Sequence, residues 1–253
     1  LLQEYSLQPE SNADEDPYHF VYSLPIEWLA DGVSSDNLRN ILDLHGFVVV
    51  SGVLTRQECQ QNLKLAEEWI EAARAAERHV QAAAEHPVAS TDKRSVRTVQ
   101  GGMMPFYGSG HSKFAWRVRS NDNVRHVWES VYPTKNLLSS LDGFVVWNET
   151  VPPDDDVGWF HVDQNPRLKP DLAAVQGLVN LIDVTGDTGG NALVLQSHRE
   201  FSNGHYLKGR EFYQSRLKEV GNDDWLEIDP NDDDLLQPNR VVTLLLSAGD
   251  MLL

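Results

Sequence analysis

Apolar and polar positions follow two different periods along the chain, and the change falls near Pro133. Before it the helical period dominates. Leu63, Ala66, Ile70, Ala73 and Val80 lie near one face of a run rich in Ala, Leu, Glu, Lys and Arg that continues to about residue 85. Thr55-Arg56-Gln57-Glu58 in front of it has capping-box spacing, with Thr55 as N-cap and Glu58 reaching back. Val124, Val127, Trp128 and Val131 repeat at i, i+3, i+4 and i+7, which predicts a second helix from Asn121 or Asp122. Gly46-Phe47-Val48-Val49-Val50 is a short β-rich run closed by a Ser51-Gly52 turn.

After Pro133 the pattern predicts strands over 144–147, 176–182, 192–195 and 241–246. Turn clusters at Pro152-Pro153-Asp154, 185–190 and Ala248-Gly249-Asp250 separate them. Helices first and strands afterwards predict an α+β fold, with helices packed outside a β-sandwich or barrel. Residues 1–39 read as an N-terminal arm, polar and acidic over its first 23 positions, and 40–253 as one domain. Residues 86–113 form a Gly- and Ser-rich loop long enough to carry function. Arg117 and Arg119 alternate on what reads as an extended segment, and the acidic runs Asp223-Asp224 and 232–234 read as solvated loop charge.

Charge and composition narrow the classes. The 253 residues carry 21 basic and 38 acidic side chains, a net charge of −17, with 41% hydrophobic residues. That share supports a core and excludes a disordered chain. The acidic balance argues against nucleic acid as a partner, because phosphate contacts need a basic face. No apolar run reaches the roughly 18–20 residues of a membrane span. Cys59 stands alone, so no internal disulfide forms, and a reducing, cytoplasmic compartment is expected. The first residue is Leu, and VVTLLLSAGDMLL ends within an apolar run, so the chain is expected to continue past Leu253.

The candidate chemistry centres on His161-Val162-Asp163. In an extended strand residues i and i+2 point to the same side, so an imidazole and a carboxylate address one point. With a distant His these make a two-His-one-carboxylate facial triad, which leaves three positions on Fe(II) for a bidentate cosubstrate and oxygen. Such a triplet arises by chance about once in a chain of this composition, so its surroundings decide.

Those surroundings are ordered. Trp159-Phe160-His161-Val162-Asp163-Gln164-Asn165-Pro166 is followed by Gly177-Leu178-Val179-Asn180-Leu181-Ile182-Asp183-Val184-Thr185, then by Thr188-Gly189-Gly190-Asn191-Ala192-Leu193-Val194-Leu195-Gln196-Ser197-His198. Together with Leu44-His45-Gly46-Phe47-Val48-Val49-Val50-Ser51-Gly52, and with 114–119 and 142–146 between, the chain from about residue 40 resembles the phytanoyl-CoA dioxygenase family of Fe(II)/2-oxoglutarate-dependent oxygenases. Leu195-Gln196 departs from the Pro-Gly that the family often has before Ser-His.

The resemblance implies a double-stranded β-helix, a cupin-like jelly roll whose last strands lie beyond Leu253. It implies Fe(II) held by His161 and Asp163, with 2-oxoglutarate and O2 as cosubstrates and a small organic molecule oxidised at a C–H bond. Retention of Asp163 favours hydroxylation over halogenation. The third ligand, a late His, and the Arg that pairs with 2-oxoglutarate are expected past Leu253, so the chain as it stands should hold iron poorly. Asn180, mid-strand, either bonds a 2-oxoglutarate carboxylate or is a satisfied strand amide. Gln100 lies where the family places polar contacts to cosubstrate or substrate, and His111 is a candidate substrate contact. Phe114, Trp116 and Trp147 either wall the cavity or belong to the core. His198 is either a loop-base hydrogen-bonding group or a substitute third ligand.

Two rival readings stand beside the oxygenase. One is a catalytically inactive β-helix that binds a small molecule or partner. The other is a zinc-dependent hydrolase built on His161, Asp163 and His198.

Overall fold

The computed structural model describes residues 23–31, 33–83, 103–104, 107–146, 160–169, 171, 174–188, 190–201, 207–219, 221 and 225–253. Its main sheet joins distant parts of the chain. Strand β1 (Ser23–Pro25) runs parallel to β2 (Val49–Ser51), with β3 (Met103–Met104), β4 (Phe144–Val145) and β5 (His161–Val162) lying outside this sheet. β6 (Leu178–Val179) forms the far edge of the main sheet, while β7 (Ala192–Val194), β8 (Leu226–Glu227) and β9 (Val241–Thr243) pair elsewhere. β10 (Met251–Leu252) sits between β2 and β6, antiparallel to both, giving the order β1-β2-β10-β6.

Alternation along β2 and β10 sorts the core into two layers. Val48, Val50, Met251 and Leu253 face a helical layer, where they meet Leu38 of α1 (Val33–His45). Phe47, Val49 and Leu252 face the other way, onto Val242, Leu244 and Leu246 around β9, with Leu193 of β7. The sheet is therefore buried on both faces, which explains why β2 reads as a continuous Val run rather than an alternating one. Residues 23–39, grouped with the arm by sequence, supply β1 and the buried Leu24, Leu29 and Leu38 to this core.

The long helix α2 (Arg56–Ala83) starts as its capping box predicts. Glu58 N donates to Thr55 Oγ1 at 3.2 Å, and Thr55 N donates to Glu58 Oε2 at 2.8 Å. The segment read as extended is instead a helix, α3 (Lys113–Arg119), because Ser112 caps it by accepting from Ala115 N. Arg119 then donates to the carbonyl oxygens of Gly110 and Asp142, and Arg117 to Gln61 Oε1. α4 (Asp122–Val131) begins at the Asn121 cap and buries Val124, Val127 and Val131 against the main sheet's helical side.

A further cluster lies around α6 (Glu211–Glu219), which follows the short α5 (Ser197–Phe201). Phe201, Leu207, Tyr213, Leu226, Ile228 and Leu235 form it, with Phe160 and Val162 packed on its surface. Among the described residues no sheet closes on itself, and no helix is long and apolar enough to cross a membrane.

Candidate functional site

The β5–β8 ribbon carries the site on its polar face. β5 pairs antiparallel with β8 in the register His161↔Glu227 and Val162↔Leu226. Ile228 N donates to Phe160 O at 2.9 Å. Phe160, Val162, Leu226 and Ile228 turn into the α6 cluster. His161 consequently faces the opposite way, and Asp163, two residues on, shares its side.

The two functional groups meet there. His161 Nε2 lies 3.4 Å from Asp163 Oδ1, with side-chain exposures of 28% and 45%. Gln176 Nε2 donates to the second oxygen, Asp163 Oδ2, at 2.7 Å. The neighbouring imidazole holds the Asp163 carboxyl below the usual carboxylate range, against the opposing effect of partial burial, and the Gln176 amide adds to the lowering.

A shared cation fits this spacing. Two donors each about 2.1 Å from one metal stand roughly 3.0 Å apart at a right angle and about 3.4 Å apart at a tetrahedral angle. An imidazole nitrogen and a carboxylate oxygen are also a suitable donor pair for Fe(II) or Zn(II). Among the described residues no third His, Cys, Asp or Glu joins them.

His198 stands apart. Its Nε2 is 2.9 Å from the carbonyl oxygen of Asp43, and its ring packs so closely on Gly46 that a Cβ there would fall 2.3 Å from Nδ1. This is the loop-base role among the two readings. Asn180 directly follows β6. Its backbone bonds to the turn before β10, and its side-chain Nδ2 is buried with no hydrogen-bond partner among the described residues. His111 is exposed in a 3-10 turn, Phe114 is core, and Trp116 is 42% exposed. Gln100 and Trp147 lie outside the described residues.

Three residues near the site escape sequence reasoning. Glu227 reaches it through strand pairing and Gln176 through a side-chain hydrogen bond, and no local pattern encodes either. Glu227 stands across from His161 and pairs with Arg216 of α6. Asn165 is fully buried just after the site: Oδ1 accepts from Arg167 N, and Nδ2 donates to Gly221 O. Its position directly after the His-x-Asp-Gln run was the available signal.

A surface hollow of about 440 Å³ lies elsewhere, bounded by Arg210, Tyr213 and Asp232 rather than by His161 or Asp163. Arg210 there pairs with Asp232 and Asp234. Asp233 and Asp234 are exposed, as solvated charge should be, but Asp232 is buried, which corrects that reading at this one position, because Arg210 and Tyr213 compensate the carboxylate. Asp223-Asp224 lies outside the described residues.

No protein-family model matches the chain. Over 88 residues it is 33% identical to Ava biosynthesis cluster protein O of Aspergillus versicolor, a stretch that covers 34% of this chain and 27% of that protein. A crystal structure from Salmonella typhimurium LT2, of a protein assigned provisionally as an oxidoreductase, superposes with a TM-score of 0.56 at 13% identity. The likeness is one of fold. The superposition covers 92% of this chain and 66% of the bacterial one, so the chain spans less than two thirds of either protein's length.

Proposed function

We propose that the protein is an oxidoreductase, and specifically an Fe(II)/2-oxoglutarate-dependent dioxygenase that oxidises a C–H bond of a small organic molecule. One observation carries this reading: His161 and Asp163 converge on one point, 3.4 Å apart, from positions two residues apart. The provisional oxidoreductase with a similar fold and the relative from a biosynthesis cluster support an oxidative enzyme in general. The packing of the main sheet on the β7–β9 pair supports a double-stranded β-helix, with the two as its opposed walls.

In this reading His161 Nε2 and Asp163 Oδ1 hold the metal, and iron with 2-oxoglutarate supplies the oxygen chemistry when bound. The chain's own part is to orient those donors. The apolar face of the ribbon, anchored in the α6 cluster, fixes the direction of His161, while Gln176 fixes Asp163. The Asn180 amide, which has no partner among the described residues, is a candidate donor for an anionic group, and Gln100 is a second candidate for a cosubstrate contact.

The test is 2-oxoglutarate decarboxylation by the full-length natural protein, loaded with Fe(II) without oxygen and read as succinate after oxygen is admitted. His161→Ala should abolish turnover. Succinate formation at the wild-type rate in that variant would overturn the assignment.

A further inference from the structure

We propose that Gln176 is a positioning residue for the metal-binding carboxylate: its amide occupies one oxygen of Asp163 and so presents the other, alone, to the point addressed by His161. The inference rests on the metal reading above and adds to it a residue and a binding mode.

Asp163 lies just past the two-residue β5, at the start of a bend, and its side chain is nearly half exposed. Local backbone structure therefore does little to hold its carboxylate. The Gln176 amide does so from 13 residues away, donating to Oδ2 at 2.7 Å. Oδ1 is then the oxygen that faces His161 Nε2. A carboxylate held this way binds a cation through one oxygen. A free one can rotate to offer both, which would use a position needed by a bidentate cosubstrate.

Gln176 is itself well placed to transmit rigidity. Gly177, next to it, is pressed against the helical side of the core. A Cβ there would fall 2.5 Å from the Trp128 ring and 2.7 Å from Met251 Cε. Trp128 and Met251 belong to the same core layer as Val48 and Val50. Backbone at 176–177 thus rests on the core layer just before β6, and the exposed Gln176 side chain links that backbone to Asp163. Support of this kind around metal ligands sets their orientation, and its loss typically weakens metal binding about 10–100-fold.

The experiment is anaerobic Co(II) titration of the intact chain, read by visible absorption, in wild type, Gln176→Leu and His161→Ala. Gln176→Leu should bind about tenfold more weakly or worse. Its absorption bands should also shift in energy and intensity, as expected when Asp163 changes from one-oxygen to two-oxygen binding. Circular dichroism checks folding, and Gln176→Met, with similar reach and no donor, is the second variant should leucine disturb the turn. Wild-type affinity and spectrum in both Gln176 variants, with binding lost in His161→Ala, would overturn the role of Gln176 and leave the metal site standing. Undiminished binding in His161→Ala would overturn the metal site and the role of Gln176 together.

Discussion

The phenol of Tyr213 donates to Oδ2 of Asp232 at 2.8 Å, and both groups are sealed from water. Oδ1 of the same carboxylate accepts from Arg210 Nη1 at 2.9 Å and from Leu235 N at 3.2 Å. One side chain therefore ties α6 to the turn after residue 229. Asp232→Ala leaves the buried phenol without this acceptor and removes one partner of Arg210, and should lower unfolding free energy by about 2 kcal/mol. Tyr213→Phe keeps the ring and should cost about 1–2 kcal/mol. Urea denaturation of the two variants checks both, and a loss below about 1 kcal/mol for Asp232→Ala would contradict the buried network.

The Asp163 carboxyl titrates below its ordinary range, chiefly because of the His161 imidazole beside it. A lowered folded-state pKa gives stability that is complete above the unfolded value, about 3.9, and is lost as pH falls through the folded one. The stability difference between wild type and Asp163→Asn should therefore shrink as pH falls below about 4, read by urea denaturation. Above about pH 5 the carboxylate stays ionised, so the Asp163 carboxyl should show no titration by NMR in that range. A carboxyl titration above about pH 5 would show that Asp163 is not held ionised.

Gly249 turns the chain into β10 with φ +100°, and a Cβ there would fall 2.1 Å from the Leu54 carbonyl oxygen. Gly249 N meanwhile donates to Asn180 O at 2.8 Å. An Ala here meets both a disfavoured backbone conformation and a backbone clash. Gly249→Ala should destabilise by more than about 2 kcal/mol, seen as a lower melting temperature. Gly209, which also has positive φ but open space around it, should tolerate Ala with a smaller loss.

Among the described residues the buried Asn180 amide has no acceptor. Unpaired buried donors cost about 1–3 kcal/mol, so Asn180→Leu, of similar shape, should raise the melting temperature. If the amide serves an anionic ligand, the same variant should lose part of the stabilisation that 2-oxoglutarate gives wild type. Thermal unfolding with and without 2-oxoglutarate reads both effects. A lower melting temperature in the variant would show that the amide supports the fold.

The parts of the fold fixed by neighbouring residues were legible. Thr55 and Glu58 are three residues apart, and both halves of their capping box form. The Val124, Val127 and Val131 stripe is buried as its spacing requires. Strands were placed correctly but drawn too long: 176–182 contains only Leu178–Val179, because the flanking residues bond to turns rather than to a ladder. Lys113–Arg119 was misread, since Phe114, Trp116 and Val118 alternate like a strand while the Ser112 cap decides for helix. At the site, the shared side of His161 and Asp163 followed from strand geometry alone. Gln176 and Glu227 were not legible, because each arrives through contacts with another segment. The burial of Asp232 depended on Arg210, 22 residues away in sequence.

The position of β10 constrains the order in which the molecule can assemble. β2 ends at Ser51, yet the strand that completes its ladder starts at Met251. A ribosome must therefore deliver about 200 further residues before the Val48–Val50 run acquires its antiparallel neighbour. Closing so wide a loop is slow, because chain entropy is lost before the contact forms. Until then one edge of this valine-rich strand stays uncovered on the nascent chain, where holding factors have the longest opportunity to act.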